Sequence, residues 1–323
     1  MKKSLLAIAG FVAGTSMMST AAHANCGEIS ISEMNWASSQ LVTYVSKFLL
    51  EEGYGCKVQT VPTSTVPSVT SVAETGKPDI VTELWLNSVP LYTKLEEQGK
   101  VVTAAKILSD GGQDAWWIPK YLVDKHPELK TIEGVLANPE LVGGRFHNAP
   151  NGWGIRIKND NLIKAFDFES HKMGVFNHGS GETLAASIAS AYNNKEPWFG
   201  YYWAPTSVLG KYEMVAVDLG PYNDAAHNCA QDEECANPQK TSLPSAPVVT
   251  AITSDLAKRA PEVLELMKRV TFTNAEMGKL LAWQEENKAS SEETAVHFIT
   301  TQQGTWSQWI NDDARKNLAG LLN

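Results

Sequence analysis

The chain has 323 residues, a net charge of −9, and 43% hydrophobic against 20% charged residues. That balance excludes a disordered chain or a fibrous repeat, and the acidic excess argues against a nucleic-acid partner, which needs a basic face, and against general attraction to anionic membranes. The length predicts about two domains or lobes, because single cores stop growing at roughly 250–300 residues.

Lys2 and Lys3 precede an apolar run from Leu5 to Val12, and Ala22-His23-Ala24 fits an A-x-A cleavage site. This layout predicts a secretory signal peptide over residues 1–24, cleaved after Ala24. Beyond it the pattern alternates short apolar strands with amphipathic helices, which predicts an α/β fold. Glu28 to Ser32 reads as a strand; Leu41, Val42, Val45, Phe48 and Leu49 recur at helical spacing, with Gly53 as the stop. Further strands are predicted at Cys56–Val61, Asp79–Leu84, Ala115–Pro119, Trp198–Trp203 and Val248–Ile252. Helices are predicted over Thr183–Tyr192, with Ser180 as its cap, and Pro261–Val270, and the chain after Asn274 reads as largely helical. Asp110-Gly111-Gly112-Gln113-Asp114 reads as a hinge or turn; it lacks the ligand spacing of a calcium loop. No single Pro/Gly/Ser linker stands between residues 100 and 230, which favours lobes joined by crossing strands over two consecutive domains.

All four cysteines, Cys26, Cys56, Cys229 and Cys235, lie in the part that would be exported, where disulfides form. Four cysteines allow three pairings. If the strands led by Cys26 and Cys56 are parallel neighbours joined by one helix, their thiols start adjacent strands at the same end, so Cys26–Cys56 and Cys229–Cys235 are the expected pairs. No metal or other cofactor is expected, since no ligand set with metal spacing accompanies the cysteines.

Tryptophan is the commonest aromatic residue, 10 against 9 tyrosines and 9 phenylalanines. Four of the ten occupy one kind of place. Trp36 follows the first strand, Trp85 ends the strand Asp79–Leu84, Trp153 lies in Asn151-Gly152-Trp153-Gly154 before a helix, and Trp203 ends an aromatic strand. Ligands of open α/β sheets bind outside the carboxyl ends of strands. A quaternary ammonium has no N–H to donate, and indole faces attract it through their quadrupole by about 0.5–2 kcal/mol each. Taken singly, each tryptophan is better read as core; four at corresponding positions favour an aromatic cage. The anionic end of a zwitterion would find N–H groups at Gly154 and Ile155, at the start of a helix, with Arg145, His147, Asn151 and Arg156 as side-chain candidates. Signals for catalysis are weak. His178-Gly179-Ser180-Gly181-Glu182 lacks the G-x-S-x-G elbow, and there is no H-E-x-x-H, C-x-x-C or P-loop.

Lys195-Glu196-Pro197-Trp198-Phe199-Gly200-Tyr201-Tyr202-Trp203-Ala204-Pro205-Thr206, with Glu83-Leu84-Trp85 and Gly152-Trp153-Gly154, resembles the glycine betaine/choline-type (OpuAC-like) substrate-binding proteins of ABC importers over essentially the whole exported chain. The resemblance implies a two-lobed periplasmic binding protein of type II-like architecture, each lobe a mixed sheet flanked by helices. It places lobe 1 at residues 25–115 and 222–323 and lobe 2 at residues 116–221. It carries Trp85, Trp153 and Trp203 onto the family's cage and Gly154 and Ile155 onto its carboxylate-binding amides; Trp36 rests on the strand-end argument. Val89 stands where some members have a ligand-contacting histidine, and Asn87, Ser88 and His147 are the candidates to compensate. The implied function is capture of glycine betaine or a related compound (carnitine, choline, dimethylsulfoniopropionate, trimethylamine N-oxide) and delivery to an inner-membrane permease, by a monomer that is not an enzyme. Choline would favour an acidic neighbour such as Glu83 or Asp79. The competing readings are a sugar receptor with stacking tryptophans and a secreted hydrolase built on Ser180, His178 and Glu182.

Overall fold

The computed structural model describes residues 26–322; the expected signal peptide and cleavage site lie outside the described residues. Nine strands appear in chain order among them: β1 (Glu28–Met34), β2 (Lys57–Thr63), β3 (Ile80–Trp85), β4 (Val101–Pro119), β5 (Arg145–Asn148), β6 (Gly174–Asn177), β7 (Gly200–Ala204), β8 (Met214–Ala216) and β9 (Ala246–Thr253). They form one mixed sheet in the order β2-β1-β3-β9-β4-β7-β5-β6, with β8 paired to β4.

β1 lies parallel to β2 and β3, and β5 lies parallel to β6 and β7, so each end of the sheet is a parallel βαβ region. Between them β9 runs antiparallel to β3 and to β4, and β4 runs antiparallel to β7. The join is β4 itself. Its first part pairs with β9 as far as Gly112↔Ala246, and its second part pairs with β7 from Gln113↔Ala204 onward. The segment expected to be a hinge or turn at Asp110–Asp114 is therefore corrected to a continuous strand that changes partner. Gly111 takes φ +76 and the register slips between Leu108 and Gly112, so a glycine-rich bulge absorbs what the sequence suggested was a turn.

The helices form for local reasons that the sequence displays. In Ala37–Phe48 the residues Leu41, Val42 and Val45 fall on one buried face. Ser180 caps Gly181–Asn194 through a capping box with Thr183, and the C-terminal helices Asn274–Asn287 and Ser291–Thr301 carry capping boxes at Thr273/Glu276 and Ser290/Glu293. Helix Thr65–Thr75 stops at Gly76, in the left-handed region.

Two buried clusters result. One includes Leu41, Val45, Ile31, Val263 and Phe298 and seals one face of the β1–β3 half beneath the C-terminal helices. The other is continuous from Val81 and Leu84 through Trp36, Trp153 and Trp203 to Phe146 and Leu184, so it spans both halves of the sheet. Cys26 is bonded to Cys56, with Cα atoms 5.4 Å apart, tying the start of β1 to the residue before β2; Cys229 is bonded to Cys235 beside the helix Asp224–Ala230.

Candidate functional site

The carboxyl ends of β1, β3, β5 and β7 converge on one cavity. It encloses about 350 Å³ out to its mouth and is lined by Trp36, Trp85, Trp153 and Trp203, with Thr65, Ser88, Val89, Asp114, Gly154, Ile155 and Tyr201. The Trp36 and Trp153 ring centroids are 5.4 Å apart at 69°, and those of Trp153 and Trp203 are 5.1 Å apart at 82°. Near-perpendicular neighbours of this kind make walls of a box rather than a stack. Trp36 and Trp153 both occupy the N-cap position of a helix without forming a side-chain cap. Ser, Thr, Asp or Asn ordinarily stands there and contributes about 1 kcal/mol, so each helix forgoes that stabilisation to present a ring.

Three of the four indoles are anchored through Nε1. Trp153 Nε1 donates to Asn35 Oδ1 (2.7 Å) across the cavity. Trp36 Nε1 and Trp85 Nε1 both donate to Glu83 Oε1, at 2.6 and 3.3 Å, and Ser38 Oγ donates to the same oxygen at 2.8 Å. Glu83 is buried, and burial pushes its carboxyl up to about 7 against those three hydrogen bonds. The Trp85 ring lies on Gly112, where a β-carbon would stand 2.1 Å from Cζ3.

The polar end of the cavity holds Asp114, which the sequence reading passed over. Asp114 pairs with Trp203 across β4 and β7, and Tyr201 stands diagonal to it, close enough for Oη to donate to Asp114 Oδ1 (2.7 Å). Burial holds the Asp114 carboxyl up and the amine of buried Lys158 down, and their opposite charges restrain both shifts. Lys158 Nζ donates to the Asn87 carbonyl oxygen and meets His227 Nε2 at 3.3 Å. Gly154 and Ile155 open the helix Gly154–Ala165, and N–H groups at such positions have no acceptor within the helix.

Two expected ligand contacts are corrected. Asn87 is outside the lining; its side-chain amide donates to the Pro244 and Ser245 carbonyls at 3.1 and 3.0 Å. His147 is also outside. It stacks on Trp198 and meets His178 Nε2 through Nδ1 at 2.9 Å, and burial, helped by the His178 and Arg145 charges, lowers it to about 3, so it carries no charge for an anion at neutral pH. Ser88 and Val89, by contrast, do line the cavity. Arg156 is engaged with Asp160 at 2.8 Å and with Asn151 Oδ1, and Arg145 lies over Phe176. Asp79 is held away from the cage by Lys77, Ser30 and Arg259. Burial raises its carboxyl, but those hydrogen bonds more than offset it and leave it below the ordinary range. The Ser180 hydroxyl accepts from Thr183 N–H, the cap expected of it, while His178 is taken by His147.

A family model for the substrate-binding domain of ABC-type glycine betaine transport systems matches residues 27–301. The chain belongs to this family. As an OpuAC-family member it is a substrate-binding protein of a glycine betaine/choline-type ABC transporter, and the family is a transport binding domain rather than an enzyme family. Among solved structures it is similar to an ABC-transporter choline-binding protein in complex with choline (TM-score 0.73, 17% identity, 92% of this chain and 98% of that one). It is similar also to lactococcal OpuAC closed on glycine betaine (TM-score 0.69, 17% identity, 88% and 100%). These likenesses fix the fold as the two-lobed α/β architecture. A curated relative, the trimethylamine N-oxide-binding protein of Pelagibacter ubique (strain HTCC1062), is 21% identical over 286 residues, 84% of this chain and 87% of the relative. Among the described residues no helix is long and apolar enough to cross a membrane.

Proposed function

We propose that this OpuAC-family protein captures glycine betaine or a related methylated ammonium or sulfonium compound in a tryptophan cage between its lobes. The observation that carries the reading is four indoles from four strand ends bordering one small cavity. A cation free of N–H donors is what such walls favour, because ring faces attract it without needing hydrogen bonds. Relatives named for choline, glycine betaine and trimethylamine N-oxide support the same ligand class. The polar side chains of the lining are Thr65, Ser88, Asp114 and Tyr201, without the planar amides and guanidinium groups that a sugar receptor would set beside its rings.

In this reading Trp36, Trp85, Trp153 and Trp203 hold the methylated head. Gly154 and Ile155 offer backbone N–H groups to a carboxylate, and Asp114 accepts from a ligand hydroxyl. The lobes comprise residues 25–115 with 222–323, and residues 116–221, with β4 as one crossing. The protein works in the periplasm as a monomer and hands its ligand to an ABC permease in the inner membrane. Titration calorimetry with glycine betaine, choline, carnitine, dimethylsulfoniopropionate and trimethylamine N-oxide tests it. Binding at about micromolar or tighter to at least one is expected; only millimolar binding or none across the panel would refute the reading.

A further inference from the structure

Glu83 lies behind the cage, and its placement requires explanation. It is fully buried in its strand, yet among the described residues no positively charged side chain bonds it. Its backbone takes φ +53, a region a non-glycine residue seldom occupies, and the β3–β9 register slips between Val81 and Leu84. A bulge of this kind re-aims a side chain at a local energetic cost, and such strain persists only where the surroundings over-determine it. Here it turns the carboxyl to the N–H edges of two rings. Oε1 collects Trp36 Nε1, Trp85 Nε1 and Ser38 Oγ, while Oε2 is buried and has no hydrogen-bond partner among the described residues.

We propose that Glu83 is the specificity-determining residue of the cage, aiming Trp36 and Trp85 and supplying the buried counter-charge that makes the site prefer a permanent cation over an uncharged molecule of the same shape. Two physical effects act together. A carboxylate accepting an indole N–H leaves the ring face more electron-rich, which strengthens its attraction for a cation. The negative charge also acts directly on the ligand across a low-dielectric interior, where screening is weak. The inference rests on the cage reading above and adds a linkage to it. Burial pushes Glu83 up to about 7, so near neutral pH part of the population is protonated. A bound cation favours the ionised form, so capture expels a proton. Affinity for a cation should then fall as the pH drops below about 7, toward the lower value Glu83 has in the complex. The groups meeting Glu83 directly are the two indoles and the Ser38 hydroxyl. The other titratable groups of the cavity are Asp114 and Tyr201, with Lys158 coupled to Asp114 and His227 beyond it.

The test compares ligands that differ only in nitrogen or carbon at the head: choline with 3,3-dimethyl-1-butanol, and glycine betaine with 3,3-dimethylbutanoate. Affinities are measured for the parent protein, Glu83→Gln, Asp114→Asn and the double variant between about pH 5 and 8. Glutamine keeps the acceptor oxygen and the shape but not the charge. Expected is a loss of about tenfold for the cationic member at about pH 8, the effect of one pKa unit of coupling, with the carbon analogue unchanged. The pH dependence that persists in Asp114→Asn should vanish in the double variant. Equal loss for both members of a pair, or no loss for either, overturns the inference and leaves Glu83 a structural residue. Should Glu83→Gln fail to fold, calorimetry of the parent and Asp114→Asn in two buffers of different ionisation enthalpy still decides, since zero proton release in Asp114→Asn near pH 7 overturns it. A parent that binds neither cation fails the cage reading itself, whereas binding with an unaltered cation preference in Glu83→Gln fails only this step.

Discussion

At the scale of single residues, the site is a set of rings held by their neighbours: Trp36 and Trp85 by Glu83, Trp153 by Asn35 and Trp203 by Tyr202. Trp203 presents one side to the cavity while Tyr202 packs against it at a centroid distance of 4.5 Å. Trp203→Ala is expected to weaken binding of the preferred cation by about 1–2 kcal/mol or more while the protein still folds. Calorimetry alongside a thermal melt checks both halves of that statement; loss of the cooperative melt would show that the ring is needed for the fold itself. Trp85 depends on an absence. Gly112 lets the indole lie on the β4 backbone, and a methyl group placed there would overlap the ring at 2.1 Å. Gly112→Ala should therefore displace Trp85 and lower affinity at least tenfold by moving one wall, with circular dichroism near that of the parent. Unchanged affinity would mean that Trp85 is not a wall of the site. The four tryptophans were legible in the sequence because each follows a strand and stands among turn-forming residues. Asp114, Tyr201 and Gly112 were not, since each matters through a neighbour on another strand.

Elements explain why the right strand ends meet. β1, β3, β5 and β7 deliver their carboxyl ends to one cleft because parallel pairing at both edges of the sheet points them there. The two thiols at the start of β1 and just before β2 are a direct reading of that pairing, since parallel neighbours joined by one helix begin at the same end. The Cys26–Cys56 bond spans 30 residues and should contribute about 2–4 kcal/mol; replacing both with serine should lower the urea midpoint accordingly. The Cys229–Cys235 pair closes only 6 residues, so its removal should cost less. Denaturation curves of the two double variants give the order. The boundaries of β4 resisted sequence reading for a physical reason. Glycines at 111 and 112 signal a break to any local rule, but the hydrogen bonds that keep the strand extended come from β9 on one side of the break and β7 on the other.

For the whole molecule, the structure holds its two lobes in contact around the cavity. Trp153 Nε1 reaches Asn35, Val66 N donates to the Gly152 carbonyl at 2.9 Å, and Lys158 bonds the Asn87 carbonyl. The tightest approach is at Gly154, where a β-carbon would stand 2.0 Å from the Ser88 carbonyl oxygen. Gly154→Ala should keep the lobes from meeting. Small-angle scattering of that variant should show no compaction at saturating ligand, and its affinity should fall about 100-fold or more, because only the closed state completes the walls. Compaction equal to that of the parent would show that closure tolerates the extra methyl.

The sequence by itself determined the α/β class, the disulfide partners and the four rings that line the cavity, because these follow from periodicity, strand order and the chemistry of indole. Only the tertiary structure decided which polar groups line the cavity. It left Asn87 and His147 outside the lining, brought in Asp114, and set Glu83 at the N–H edges of two rings. Those outcomes turn on hydrogen bonds and buried charge between segments far apart in the chain, and local sequence carries no record of such distances.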